Sequence, residues 1–193
     1  MLIRVMSSLS VSCDKTRVTL FKRLCRKSND HFFNMHFQYV VAAIEGFPME
    51  NGGYILRELT LLFPNDQEQH FQFKNPSNMC LNIDEMRTAK FCQRHLNGFS
   101  PTDDESCCLP AEVYPKILET IQHSRIYCAG ETTRLFFARH LPDASITDVY
   151  SLFDFRYPKE FSENPGCFKM HRFRYCTLAK CRYLAQRLQG YRL

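Results

Sequence analysis

A chain of 193 residues is long enough for one domain with a single apolar core and too short for two of ordinary size. Seventeen Phe, nine Tyr and no low-complexity tract exclude a disordered chain, and the longest uncharged apolar run, Tyr39 to Ile44, excludes a membrane span. The net charge of +5 is unevenly placed: residues 1–35 carry seven Lys/Arg and two Asp, residues 167–193 carry seven and no acid, and the middle holds eleven basic and eighteen acidic residues.

Basic ends of this kind are the electrostatic footprint expected for binding phosphate backbones, although a solvated face gives the same count. The opening M-L-I-R-V-M-S-S-L-S places Arg4 inside what would be the apolar part of a signal peptide, so an intracellular protein is expected. In a reducing compartment the ten cysteines are core thiols or metal ligands rather than a disulfide framework.

Residues 1–35 lack sustained periodicity and read as a basic N-terminal extension with one short helix at most; the domain spans 36–193. H-F-Q-Y-V-V-A-A-I-E-G-F predicts a strand ending at Gly46, M-E-N-G-G a hairpin turn, and Y-I-L-R-E-L-T-L-L-F a second strand closed by Pro64-Asn65-Asp66. A third strand is predicted at His70 to Lys74. The period then changes: helices are predicted over 83–95 and over 110–122, with Pro110 near the start of the latter, and a short buried strand over Ser124 to Cys128. G-E-T-T-R-L-F-F-A-R-H-L reads as a helix, A-S-I-T-D-V-Y as a last strand, and Thr177 to Leu188 as a terminal helix. An antiparallel meander followed by alternating helices and strands predicts an α/β fold with a mixed sheet.

In the terminal helix Leu178, Cys181, Leu184, Ala185 and Leu188 share one face, which puts Cys181 in the core, while Lys180, Arg182 and Arg187 point mostly elsewhere. Cys176 falls at the helix start on a different face, with Cys167 and His171 shortly before it. Cys167-x3-His171-x4-Cys176 offers two thiolates and an imidazole, the ligand types that tetrahedral Zn²⁺ prefers. A structural site needs a fourth ligand from elsewhere in the chain, and a carboxylate can serve. The competing reading is buried thiols and a surface histidine.

C-F-K-M-H-R-F-R-Y-C-T-L-A-K-C-R-Y-L-A resembles the C-terminal end of the Maelstrom domain, whose signature is Glu, Cys, His, Cys. R-I-Y-C-A-G-E-T-T-R-L-F-F-A-R-H-L is similar to that family's central strand and helix, and Y-I-L-R-E-L-T-L-L to its early strand. The resemblance covers roughly residues 38–190. It implies that Glu58 is the fourth zinc ligand beside Cys167, His171 and Cys176, giving a zinc-stapled C-terminal helix, and that the fold is RNase H-like, related to DEDD-type 3'-to-5' exonucleases.

Those enzymes hold two Mg²⁺ with a D-x-E on the first strand, an Asp on a middle helix and an H-x4-D at the final helix, because several carboxylates must surround the metals at a scissile phosphate. Here the first motif reads Ala43-Ile44-Glu45, the middle helix offers Thr132, Thr133 and Arg134, and the final pair corresponds to Cys176 and Cys181. Only Glu45 remains, a weak catalytic candidate whose bland alternative is an edge carboxylate beside a turn. His95 in H-L-N-G-F-S is either a pocket residue or a surface histidine, Asp103-Asp104-Glu105 a solvated loop, Cys107 and Cys108 simple thiols, and Cys128 a core residue.

The resemblance implies an exonuclease-degenerate domain that binds single-stranded RNA in piRNA-type silencing of transposons, with no membrane or small-molecule substrate. Phosphate contacts are expected from Lys169, Arg172, Arg174, Lys180, Arg182 and Arg187, with Phe168, Phe173 and Tyr175 available for stacking. Two alternatives stand beside it: a metal-independent single-stranded RNA endonuclease, and a scaffold protein of a virus or mobile element with a protein partner.

Overall fold

The computed structural model describes residues 39–76, 79–102, 109–158 and 176–190. They form an α/β domain around a five-stranded mixed sheet of order β3-β2-β1-β4-β5, built from β1 (Tyr39–Pro48), β2 (Tyr54–Leu62), β3 (Glu68–Gln72), β4 (Arg125–Cys128) and β5 (Ser145–Asp148). The described α-helices are α1 (Ile83–Phe91), α2 (Tyr114–Glu119), α3 (Glu131–His140) and α4 (Thr177–Gly190). β1, β2 and β3 pair antiparallel, as the two turn signals predict, while β1, β4 and β5 run parallel. No described helix is long and apolar enough to cross a membrane.

β1 is the middle strand and is covered on both faces, which is why Tyr39 to Ile44 reads as an unbroken apolar run rather than an alternating one. Val40, Ala42 and Ile44 pack with Leu59, Leu61 and Ile126 against Phe136 and Phe137 of α3 and Ile117 and Leu118 of α2. The opposite face, Val41 and Ala43 with Leu62 and Tyr127, packs against Cys181, Leu184 and Leu188 of α4. The apolar stripe of the terminal helix thus lies where its 3.6-residue period predicts.

Several element ends differ from the sequence reading. β1 does not stop at Gly46 but runs on to Pro48 through a bulge at Glu45/Gly46. A Cβ at Gly46 would stand 1.9 Å from the carbonyl oxygen of Ile55, so only glycine lets the two backbones approach this closely. β3 begins two residues before His70, and Phe73 instead bridges to Leu109. The helix predicted over 83–95 is α-helical to Phe91 and then widens into a π-helical turn, Cys92–Leu96. Between 110 and 122 a 3-10 turn, Ala111–Val113, leads into α2, whose first turn takes Pro115, where no N–H is needed. β5 ends at Asp148 because its side chain accepts the Tyr150 N–H and starts a 3-10 turn.

Arg57 is almost fully buried on β2, a position that a strand pattern assigns to an apolar side chain. Its guanidinium donates to the Phe73 carbonyl at 2.8 Å, to Asn75 at 2.7 Å and to the Ser100 carbonyl at 2.6 Å, and lies over the Phe99 ring. It ties β2 to two loops that no periodicity links.

Replacing Gly46 by Ala should lower unfolding stability by about 2–4 kcal/mol, because a backbone carbonyl must move. Denaturant titration measures it, and Gly53→Ala, which meets only the end of the Asn51 side chain at 2.7 Å, serves as the milder comparison.

Candidate functional site

The α4-facing side of the sheet carries a polar patch that begins at β2. Glu58 is completely buried there, and one of its oxygens, Oε2, accepts the backbone N–H of Thr177, the first residue of α4, at 3.1 Å. A helix start leaves N–H groups without intrahelical partners and carries a partial positive charge, so a carboxylate is the fitting acceptor. Oε1 lies 3.2 Å from His70 Nε2. His70 Nδ1 is 2.7 Å from Thr60 Oγ1, and Thr60 Oγ1 is 2.7 Å from Thr177 Oγ1. Glu58, His70, Thr60 and Thr177 therefore close a hydrogen-bonded ring between two adjacent strands and the amino end of α4. Burial lowers the His70 pKa, and the hydrogen bond and charge of Glu58 outweigh it, so the net shift is upward.

Cys176 immediately precedes Thr177 and is fully buried beside this ring. Glu58 and Cys176, two of the residues assigned to a zinc site, are thus brought together across 118 positions of sequence at one helix terminus. Cys167 and His171 lie outside the described residues. Among the described residues no group of three His, Cys, Asp or Glu side chains is arranged to hold a metal. Within the helix, Cys181 Sγ is 3.4 Å from the Thr60 carbonyl and 3.6 Å from that of Val41, and burial pushes its thiol well above the ordinary range. Burial, with the Asp148 carboxylate adding to it, pushes Cys128 up to about 12. Both are core thiols.

Glu45 lies on the central strand, next to the bulge, and not at a sheet edge. Its carboxylate pairs with Lys180 of α4; the two side chains are 13% and 16% exposed. The Lys180 ammonium also sits 5.8 Å from the centre of the Tyr157 ring. Burial raises the Glu45 pKa, against the opposing charge and hydrogen bond of Lys180. Asn97, carried by the segment after the π-helical turn, donates to the Gly46 carbonyl at 2.9 Å, beside Glu45 in the chain.

This geometry changes the reading of two cations. Lys180 turns toward the sheet rather than away from it, because a buried carboxylate on β1 awaits it. Arg182 makes a two-pronged contact to Glu68 on β3, at 2.6 and 2.8 Å. Arg187 is exposed. Lys169, Arg172, Arg174, Phe168, Phe173 and Tyr175 lie outside the described residues, as do Asp103, Asp104, Glu105, Cys107 and Cys108. On α3, Thr132 is exposed and Arg134 pairs with Glu131. His95 is exposed, and its ring lies tilted against that of Phe91, 4.8 Å away centre to centre. A polar cleft of about 600 Å³, lined by residues including His123, Arg125 and Asp143, opens at the amino ends of β1, β4 and β5.

His70, Thr60, Thr177 and Asn97 were not singled out in the sequence. A strand histidine two positions from a glutamate carries no local signal; the contacts exist only through the register of β2 against β3, which sets Thr60 opposite His70. No protein-family model matches the chain, and no curated protein matches its sequence.

Lys180→Met should destabilise the domain by about 3 kcal/mol near neutral pH, because it leaves the Glu45 carboxylate buried without its cation. The sign with pH follows from the raised pKa. A carboxyl that prefers its proton when folded contributes stability below its unfolded value of 4.5, which is lost as pH rises through the folded value. Removing Lys180 takes away the main opposing cause, so the deficit of Lys180→Met should shrink as pH falls toward 4, and Lys180→Met with Glu45→Gln should recover much of it. Urea titrations between pH 4 and 7.5 measure all three.

Proposed function

We propose that this domain is a catalytically degenerate RNase H-like module, Maelstrom-like in its C-terminal segment, that holds single-stranded RNA and is stapled by Zn²⁺ at Glu58, Cys167, His171 and Cys176. The observation that carries the degenerate reading is the Glu45–Lys180 pair. Glu45 occupies the first-strand position where related exonucleases present metal-binding acids, and it is neutralised by a lysine from the terminal helix. Ala43 beside it is apolar, and Cys181, at the position of the final-helix acid, is a buried thiol. Two-metal phosphoryl chemistry needs converging carboxylates, and this set has one, already paired. The strand order with its antiparallel meander supports the RNase H-like reading.

The zinc reading is supported by the meeting of Glu58 with the residue that follows Cys176. A bound Zn²⁺ would neutralise the buried carboxylate and thiolate and hold the approach to α4 against β2. His70 and the Thr177 N–H already orient the Glu58 carboxylate, as outer partners of metal ligands commonly do. RNA binding is supported by the basic terminal segment. With Lys180 and Arg182 engaged by Glu45 and Glu68, contact with phosphates falls to Lys169, Arg172, Arg174 and Arg187.

One Zn²⁺ per chain is expected by elemental analysis of protein purified without chelator, and its absence would remove the staple. Cys176→Ser should then lower the melting temperature far more than Cys181→Ser, since metal-binding energy becomes folding energy.

Labelled single-stranded RNA should bind in preference to duplex, with affinity falling steeply as salt rises and no Mg²⁺-dependent shortening from the 3' end. Changing Arg172, Arg174 and Arg187 together to Glu should abolish binding without releasing zinc. Unchanged binding by that variant would show that the basic terminal segment does not carry the RNA. Cleavage that persists in chelator would make the domain an endonuclease.

A further inference from the structure

We propose that the outward face of α1 and its π-helical turn is a base-stacking platform for single-stranded nucleic acid, with Phe91 and His95 against bases and Lys90 and Arg94 against phosphates. The proposal rests on the single-stranded RNA reading above and names a place for the strand outside the basic terminal segment.

The helix is fixed on its inner side. Asn82 caps its start by accepting the N–H groups of Asp84 and Glu85, and the Glu85 side chain returns to the Asn82 N–H. Glu50, in the β1–β2 turn, reaches both Glu85 and Asn82. Ala89 and Cys92 are buried against Phe47, Ile55 and Phe99. At the far end the Asn97 N–H closes the π-helical turn on the Cys92 carbonyl at 2.9 Å, and the Asn97 side chain is anchored on Gly46. π-Helical turns recur at functional sites because they re-aim side chains without breaking the helix.

The outer side has the composition of a nucleic-acid surface. At about 100° per residue, Ile83, Arg87, Lys90 and Phe91 fall on one stripe of α1, the π-helical turn adds Arg94 and His95, and all six are exposed. Phe91 is 56% exposed, and the His95 ring lies 4.8 Å from it centre to centre, so two flat rings form a ledge in solvent. Of the nearby acids, Asp84 is bonded to Arg87 and Glu85 is turned inward into the cap. Lys90 and Arg94 therefore give the ledge a positive rim.

Charge decides between the two classes of partner. The centre of a protein–protein interface is depleted of lysine and presents contiguous apolar area. Here the exposed apolar residues, Ile83 and Phe91, stand eight positions apart with cations between them. Aromatic rings interleaved with cations suit unpaired bases on a phosphate chain, because every base has a face to stack and every linkage a charge.

The chain contains no Trp, so Phe91→Trp introduces a single reporter on the ledge. Binding is measured by fluorescence anisotropy for the full chain and its variants, on a labelled twelve-nucleotide oligoadenylate RNA and on an abasic ribose-phosphate chain of equal length. Phe91→Ala should weaken oligoadenylate binding about tenfold and leave the abasic chain within about twofold. Lys90→Glu with Arg94→Glu should weaken both, and Phe91→Trp should bind as the parent does with its emission quenched by oligoadenylate. Thermal melts of each variant matching the parent's separate these effects from misfolding. Equal binding by Phe91→Ala and parent, or unquenched emission from bound Phe91→Trp, overturns the platform while leaving the RNA reading standing. A parent that binds neither ligand overturns both.

Discussion

The amino end of α4 is held on the sheet by one carboxylate, and the rest of the polar patch depends on where that places the helix. Glu58 accepts the Thr177 N–H, and the hydroxyl of Thr177 joins Thr60 and, through it, His70. Once Thr177 is seated, the next turn must bring Lys180 over Glu45 and Cys181 into the core between β1 and β2. A buried carboxylate without such partners would be costly. The same group that is expensive to bury therefore sets the register of the helix on the sheet.

Glu45 shows how a charged group survives at the centre of a sheet. β1 is covered on both faces, and alternation sends Glu45 to the α4 side, where Lys180 supplies the charge. Such a pair contributes little net stability compared with an apolar replacement, but the loss of either partner is costly. Glu45–Lys180 thus makes β1 and α4 mutually dependent.

α1 is governed by different forces. Its inner face packs on the β1–β2 hairpin, whose Glu50 and Gly46 hold the capping residues Asn82 and Asn97, while its outer face keeps aromatic and cationic side chains in solvent. Arg57 does the corresponding work on the other side of the hairpin, linking β2 to the loops at Asn75 and Ser100. Both arrangements spend polar groups on joining segments distant in sequence.

What the sequence alone determined follows from local chemistry. Asn51-Gly52-Gly53 and Pro64-Asn65-Asp66 mark the turns of the meander, the apolar run from Tyr39 marks a strand buried on two faces, and the spacing of Leu178, Cys181, Leu184 and Leu188 marks the inner face of α4. These depend on φ/ψ preference and period, which neighbours along the chain set. Only the tertiary structure decided that Gly46 permits a bulge rather than ending a strand, that Arg57 is a core residue, and that Lys180 serves Glu45 instead of solvent. It alone brought His70 to Glu58 and Thr177 to Thr60. Each of these outcomes turns on the register of one strand against another or on the seating of a helix, and the partners lie between 9 and 135 residues apart. No pattern within a helix turn or a strand repeat carries that information, because the energy that selects it comes from pairing buried polar groups across the fold.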